Sequence, residues 1–316
     1  MASFNFGDRI SGRSVIGDTL HEMGGEHDNL FILTADTGLA LKTFRNDFPE
    51  RFIDVGIAEQ NMVGVAAGLA LEGNIPFIMG MIPFMTMRAC EQIRTAVCYQ
   101  NLPVRLIGTG GGLTSGGGST HNAMEDIALM KSLVNMTVIS IGDPQMIRDI
   151  LLASWDYPGP MFIRLAQGKA DRVLYQPGSQ QFTIGKSIVA RDGGDVTLFS
   201  HGEMVFHSIN AALELEKKGI HARVVDMFSI KPIDQEAIVK AAEETRGIVV
   251  VEDHLTYGGL ASSIADVLAD QGVCPKAFKR MGIPQIYAGF GSGDALHAKY
   301  GYDTPNIISA VEKMLG

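Results

Sequence analysis

The chain has 316 residues, enough for two domains of about 150 residues each. Hydrophobic residues make up 46% and charged residues 19%, which supports large cores and excludes wholesale disorder. A net charge of −9 without a basic stripe argues against nucleic acid, and three cysteines without CxxC spacing fit neither a disulfide framework nor a structural zinc site.

The first ten residues carry no basic region followed by an apolar stretch. The most apolar run, 75–87, is short and is interrupted by Pro76 and Pro83, too little to span a bilayer. The expectation is a cytoplasmic protein with no membrane partner.

In chain order, short apolar runs at 30–34, 51–55, 76–79, 104–108, 137–140 and 161–165 read as strands. Helical patterns at 58–71, 85–99, 122–131 and 144–154 lie between them, the last opened by Asp143-Pro144. Strands separated by helices of this length read as βαβ units in a mainly parallel sheet. The pattern lapses into turn residues at 175–181, which divides the chain into domains 1–176 and 182–316. Beyond it, strands are expected at 196–200, 222–226, 247–252 and 277–282, with helices at 203–218, 234–244, 259–269 and 304–314. The fold class is therefore α/β, with two doubly wound domains, the second smaller.

The segment Asp54-Val55-Gly56-Ile57-Ala58-Glu59-Gln60-Asn61 ends a strand and opens a helix that is apolar all round, hence buried. A carboxyl group at this strand-to-helix handover sits where open α/β sheets place ligand chemistry. Burial there favours its neutral form. Glu59 is also compatible with a first-turn residue stabilised by the helix dipole, and the residues alone leave both readings open.

The stretch 54–70, DVGIAEQNMVGVAAGLA, resembles the transketolase-family segment that carries the catalytic glutamate. That resemblance implies thiamine diphosphate as cofactor, with Glu59 hydrogen-bonding its aminopyrimidine and favouring the imino tautomer. A neutral carboxyl donor suits this role. In Pro83-Phe84-Met85-Thr86-Met87-Arg88, Phe84 matches the family's second pocket aromatic and Met81 stands at the first. Ile57, Met81 and Phe84 are the implied pyrimidine contacts, a thioether being able to meet a ring edge. Arg88, Glu91 and Arg94, at i, i+3 and i+6, suggest either an interface row or a solvated face.

The glycine-rich stretch 108–118 leads to Thr120-His121-Asn122, which resembles the family's substrate-channel histidine. The loop is neither a P-loop nor a dinucleotide fingerprint. The resemblance implies that His121 binds the donor's oxygen and its developing negative charge. Gly110 stands where relatives acting on sugar phosphates have a histidine, and Ala40 and Gln167 replace phosphate-binding residues. Arg13 matches the remaining one, and Arg164 lies near Gln167. Losing several charge-assisted contacts weakens phosphate binding, so the expected substrate lacks a conventional terminal phosphate or carries its anion elsewhere.

Tyr257-Gly258-Gly259-Leu260 and Phe290-Gly291-Ser292-Gly293 resemble parts of the family's C-terminal domain. His201, Glu203, His207 and His254 match no standard ligand spacing and are expected to be structural. Gly194-Asp195 and Gly293-Asp294 lack the continuation of a diphosphate-and-metal motif. The resemblance therefore implies a separate diphosphate-binding (N-terminal) subunit that holds Mg2+ or Ca2+, in an α2β2 heterotetramer acting on a small sugar or 2-oxo substrate. The alternatives are the β subunit of a 2-oxo acid dehydrogenase, an acyloin-forming enzyme, and a noncatalytic interaction subunit.

Overall fold

A computed structural model describes residues 5–113, 117–166 and 171–316. Two sheets carry the architecture. The larger has seven strands in the order Ser229–Lys231, Thr137–Ile141, Met161–Leu165, Arg105–Thr109, Ile75–Met81, Leu30–Thr34 and Phe52–Asp54. All neighbours in it are parallel except the edge strand Ser229–Lys231. Its strands read as near-continuous apolar runs because both faces are covered. Helices Gly12–Glu26 and Pro144–Ser154 bring Ile16, Leu20 and Ile147 to one face, where Phe77 and Ile163 point. Helix Glu59–Leu71 covers the other with Met62, Val63 and Ala66, against Leu33 and Ile78.

The smaller sheet runs Phe278–Ile283, Ile248–Leu255, Val196–Ser200, Ala222–Asp226 and Ile188–Arg191. Only its last pairing is antiparallel. One apolar core continues from Met62 and Ile78 to Phe199 and Ile264, so the two sheets share an interior. The strand Ser229–Lys231 strengthens that union, since it leaves the second half of the sequence to pair with Thr137–Ile141.

Asp143 caps its helix as its spacing to Pro144 predicts, accepting from Gln145 N at 2.7 Å. Other expectations change. The single helix at 85–99 is three pieces, π-helical at Phe84–Arg88 and Ile93–Cys98 around a short α-helical turn at Cys90–Gln92. This wider winding breaks the regular row expected of Arg88, Glu91 and Arg94. The helix at 122–131 shortens to Asp126–Ser132 because Ala123 exchanges backbone hydrogen bonds with Gly112 at 2.8 and 3.1 Å. Helices Gly12–Glu26 and Lys42–Asp47, and the edge strands Ile188–Arg191 and Ser229–Lys231, have no counterpart among the elements expected from sequence.

Candidate active site at the carboxyl ends of the parallel strands

In an open parallel sheet the carboxyl ends of the strands face one crevice. Strand Phe52–Asp54 delivers Glu59, strand Ile75–Met81 delivers Met81 and Phe84, and strand Arg105–Thr109 delivers Gly110. Met81 and Thr109 are register partners across the last two strands.

Glu59 opens its helix and is 3% exposed. The sequence pattern gives this carboxyl no partner, but the structure gives it one. Arg88 Nη1 donates to Glu59 Oε2 at 2.6 Å. The same guanidinium lies over the Phe84 ring, its carbon 4.7 Å from the centroid. Phe84 in turn meets the His121 ring edge-on at 5.1 Å. Glu59, Arg88, Phe84 and His121 thus form one connected row. Arg88 owes its place to the π-helical turn Phe84–Arg88, a signal that period-3.6 reasoning misses.

His121 Nδ1 and Thr120 Oγ1 are 2.9 Å apart, while the His121 backbone N–H donates to Gly118 O at 2.9 Å. The start of the glycine loop is pinned on both sides. Gly110 N donates to Ala166 O at 2.6 Å, and Leu113 N meets Asp253 Oδ2 at 3.0 Å. Gly112 has φ +71°, and a Cβ there would overlap the Asp253 carboxylate. That position therefore requires glycine for backbone angle and space alike.

Arg13 Nη2 donates to Thr109 Oγ1 at 3.2 Å, which sets it beside Gly110. Burial pushes the Arg13 guanidinium below its ordinary range, partly opposed by Asp171. Ile57 is 71% exposed, on the turn ahead of Glu59. Gln167 lies outside the described residues.

Arg164 is placed elsewhere than expected. It is 2% exposed, its Nε meets Asp126 Oδ2 at 2.6 Å, and its Nη2 donates to Asp253 O at 2.8 Å. Burial, the largest influence, disfavours this cation, but the Asp126, Asp253 and Glu252 carboxylates together hold it above its ordinary range. Arg164 thus ties the two sheets together behind the loop and is not presented to the crevice. Its neighbourhood to Gln167 in sequence suggested ligand binding because burial is invisible there.

Of the four residues expected to be structural, His201 bonds Ser140 at 2.8 Å and faces the buried Glu252. Glu252 accepts from Leu260 N and Ala261 N, capping the helix Leu260–Asp270.

Residues 8–171 match the family model of the transketolase pyrimidine-binding domain, and residues 185–307 match that of the transketolase C-terminal domain. An apulose-4-phosphate transketolase chain of Phocaeicola vulgatus, one of that enzyme's subunits, is 35% identical over 94% of this chain and 95% of its own. The 6-deoxy-6-sulfo-D-fructose transketolase subunit of Clostridium sp. (strain MSTE9) is 36% identical over 96% and 94%. A solved split-gene transketolase, an inactive β4 tetramer, aligns with a TM-score of 0.87 at 38% identity over 98% of both chains. The chain belongs to the transketolase family, of which it carries the pyrimidine-binding and C-terminal domains.

Proposed function

We propose that this chain is one subunit of a split transketolase, transferring a two-carbon ketol unit from a ketose-type donor to an aldehyde. The observation that carries the reading is the row Glu59–Arg88–Phe84–His121 at the carboxyl ends of the strands. The cofactor implied by the family is thiamine diphosphate. Arg88 shows the space available, because this planar N–H donor bonds the Glu59 carboxylate and its guanidinium carbon lies over the Phe84 ring, 4.7 Å from the centroid. An aminopyrimidine is likewise flat, and its ring nitrogen would meet the Glu59 carboxyl where Arg88 now does. Glu59, Phe84, Met81 and Ile57 would hold it.

When bound, thiamine diphosphate supplies the nucleophilic thiazolium carbon that carries the ketol unit. The buried Glu59, ion-paired with Arg88 in this structure, would hold a proton toward the aminopyrimidine ring nitrogen once Arg88 is displaced from it. Arg88, 43% exposed, would have room to move aside from that carboxyl. In the tautomer whose Nδ1 accepts from the Thr120 hydroxyl, His121 Nε2–H would donate to the oxygen of the donor substrate.

Several large apolar side chains stand exposed, among them Leu39, Ile57, Met87, Tyr287 and Phe290. The partner in this reading is the diphosphate-binding subunit, which holds Mg2+ or Ca2+, and two copies of each chain form the heterotetramer. The altered loop positions, Gly110 and Ala40 with only Arg13 retained, support a substrate without a conventional terminal phosphate. Relatives named for a sulfonated sugar and for a sugar phosphate are about equally similar, so overall identity does not choose the anion.

The test is ketol transfer from hydroxypyruvate to a panel of aldehydes, with this chain, a diphosphate-binding partner, thiamine diphosphate and Mg2+. Transfer that needs both chains is the expected result. Decarboxylation of pyruvate or a branched 2-oxo acid without ketol transfer would instead identify a dehydrogenase β subunit. Efficient use of xylulose 5-phosphate or fructose 6-phosphate would overturn the substrate reading alone.

A further inference from the structure

Among the described residues, one donor atom from each of His207, Asp294 and His297 lies within 4.8 Å of the other two. His207 belongs to helix Met204–Glu216, whereas Asp294 and His297 sit one turn apart on helix Gly293–Tyr300. The two imidazoles stand nearly perpendicular, with ring centroids 5.7 Å apart.

Their polar contacts are lopsided. His207 Nδ1 pairs with Thr304 Oγ1 at 3.1 Å, but its buried Nε2 has no hydrogen-bond partner. His297 is fully buried; its Nε2 lies 3.3 Å from Asp253 Oδ2 without hydrogen-bond geometry, and its Nδ1 has no hydrogen-bond partner either. Buried polar nitrogens are rarely left this way. A metal-ligating histidine uses one ring nitrogen for the ion and rests the other on a carboxylate or hydroxyl. His207 has that pattern, and His297 approaches it with Nε2 beside the Asp253 carboxylate and Nδ1 free.

We propose that His207, Asp294 and His297 bind a divalent transition-metal cation of the zinc class, with solvent as the fourth ligand. Two imidazoles and one carboxylate select such an ion over Mg2+ or Ca2+, which prefer all-oxygen sets. Ligands at about 2.0–2.2 Å around tetrahedral zinc stand roughly 3.3–3.6 Å apart. Closing from 4.8 Å requires small side-chain movements at the three ligands, and the 62% exposed Asp294 gives the ion an entry path. Arg172 is then left with Glu203, at 3.8 Å, and with its stacking on Phe206. Its present contact with Asp294 is equally long, 3.8 Å, and easily exchanged.

The ion acts as a fastener. It ties helix Gly293–Tyr300 to helix Met204–Glu216, and the segment just before Gly293 supports the glycine loop. Phe290 packs where a Cβ on Gly118 would sit, and Ser119 Oγ donates to Ala288 O at 2.6 Å. The site is separate from the Mg2+ or Ca2+ assigned to the partner and does not depend on that assignment.

The test is calorimetric titration of the tag-free, chelator-treated full chain with Zn2+, with Co2+ as a spectroscopic probe. One tight equivalent per chain is expected, with tetrahedral Co2+ bands. Binding should be lost in His207→Gln and His297→Gln and weakened at least about tenfold in Asp294→Asn. No saturable equivalent, or an Asp294→Asn chain that binds like the parent, would overturn the proposal. The Asp294 variant decides the matter even where the buried histidine variants fail to fold.

Discussion

Arg88 and Glu59 lie 29 residues apart in sequence yet meet at 2.6 Å, and the guanidinium that makes this bond also covers the Phe84 ring. The two groups best suited to grip an aminopyrimidine are therefore already bridged by a side chain of the same subunit. Arg88 remains 43% exposed, so it has room to move aside.

Removing Arg88 leaves a buried carboxylate without its counter-charge. A charge-assisted hydrogen bond contributes about 1.5–3 kcal/mol, discounted here because one partner is half in water. Arg88→Ala is expected to lower stability by about 1–2 kcal/mol in denaturant titration. With Glu59→Gln already present, the same change should cost much less, and a double-mutant cycle measures the difference. Additive losses would mean that the pair is not coupled.

Arg164 and Asp126 make the opposite case, an ion pair in which both partners are buried. Removing one partner of such a pair typically costs about 3–5 kcal/mol. Arg164→Met should therefore destabilise the chain by that order while leaving the KM for donor substrate nearly unchanged in whatever folded enzyme is recovered. A large rise in KM with normal stability would return Arg164 to the substrate site.

Asp226 predicts a pH dependence. Burial, the dominant influence, pushes its carboxyl up to about 8, against the 2.9 Å hydrogen bond from the Tyr175 hydroxyl. In the unfolded chain the group titrates near its ordinary value of about 4. The folded value is the higher one, so this contribution is complete below about pH 4 and fades as pH rises toward 8. Between pH 5 and 8.5 the parent should lose on the order of 2–5 kcal/mol more stability than Asp226→Asn, which keeps an acceptor for Tyr175. Parallel stability profiles for the two proteins would contradict this.

Much of the fold is legible in sequence because both sheets are mainly parallel and buried on both faces, so runs such as 137–141 and 196–200 carry no charged residue and are buried at every position. Helix Gly12–Glu26 escapes notice because its close contacts are made by glycines. A Cβ on Gly17 would strike Ala40 O, so the residue that fits the packing weakens the helical pattern. The strand Ser229–Lys231 escapes for another reason, since its partner lies about 90 residues earlier and no local pattern encodes that pairing.

The site divides in the same way. Glu59, Phe84 and His121 are readable because each lies in a motif the family carries, and the structure brings them into one row. Arg88 as the partner of Glu59 is unreadable, because its position depends on a π-helical turn. His297 is unreadable because nothing near it in sequence points to His207. Local spacing reports which face a residue occupies, not what another element places opposite it.

The most direct measurement is the turnover of ketol transfer by the complex of this chain and its diphosphate-binding partner, compared with the same complex carrying Glu59→Gln, both at saturating thiamine diphosphate. Loss of a positioned proton-transfer group is expected to cost at least about 100-fold in kcat while the variant still folds and assembles. A Glu59→Gln complex that turns over like the parent would contradict the assignment of Glu59 to the aminopyrimidine.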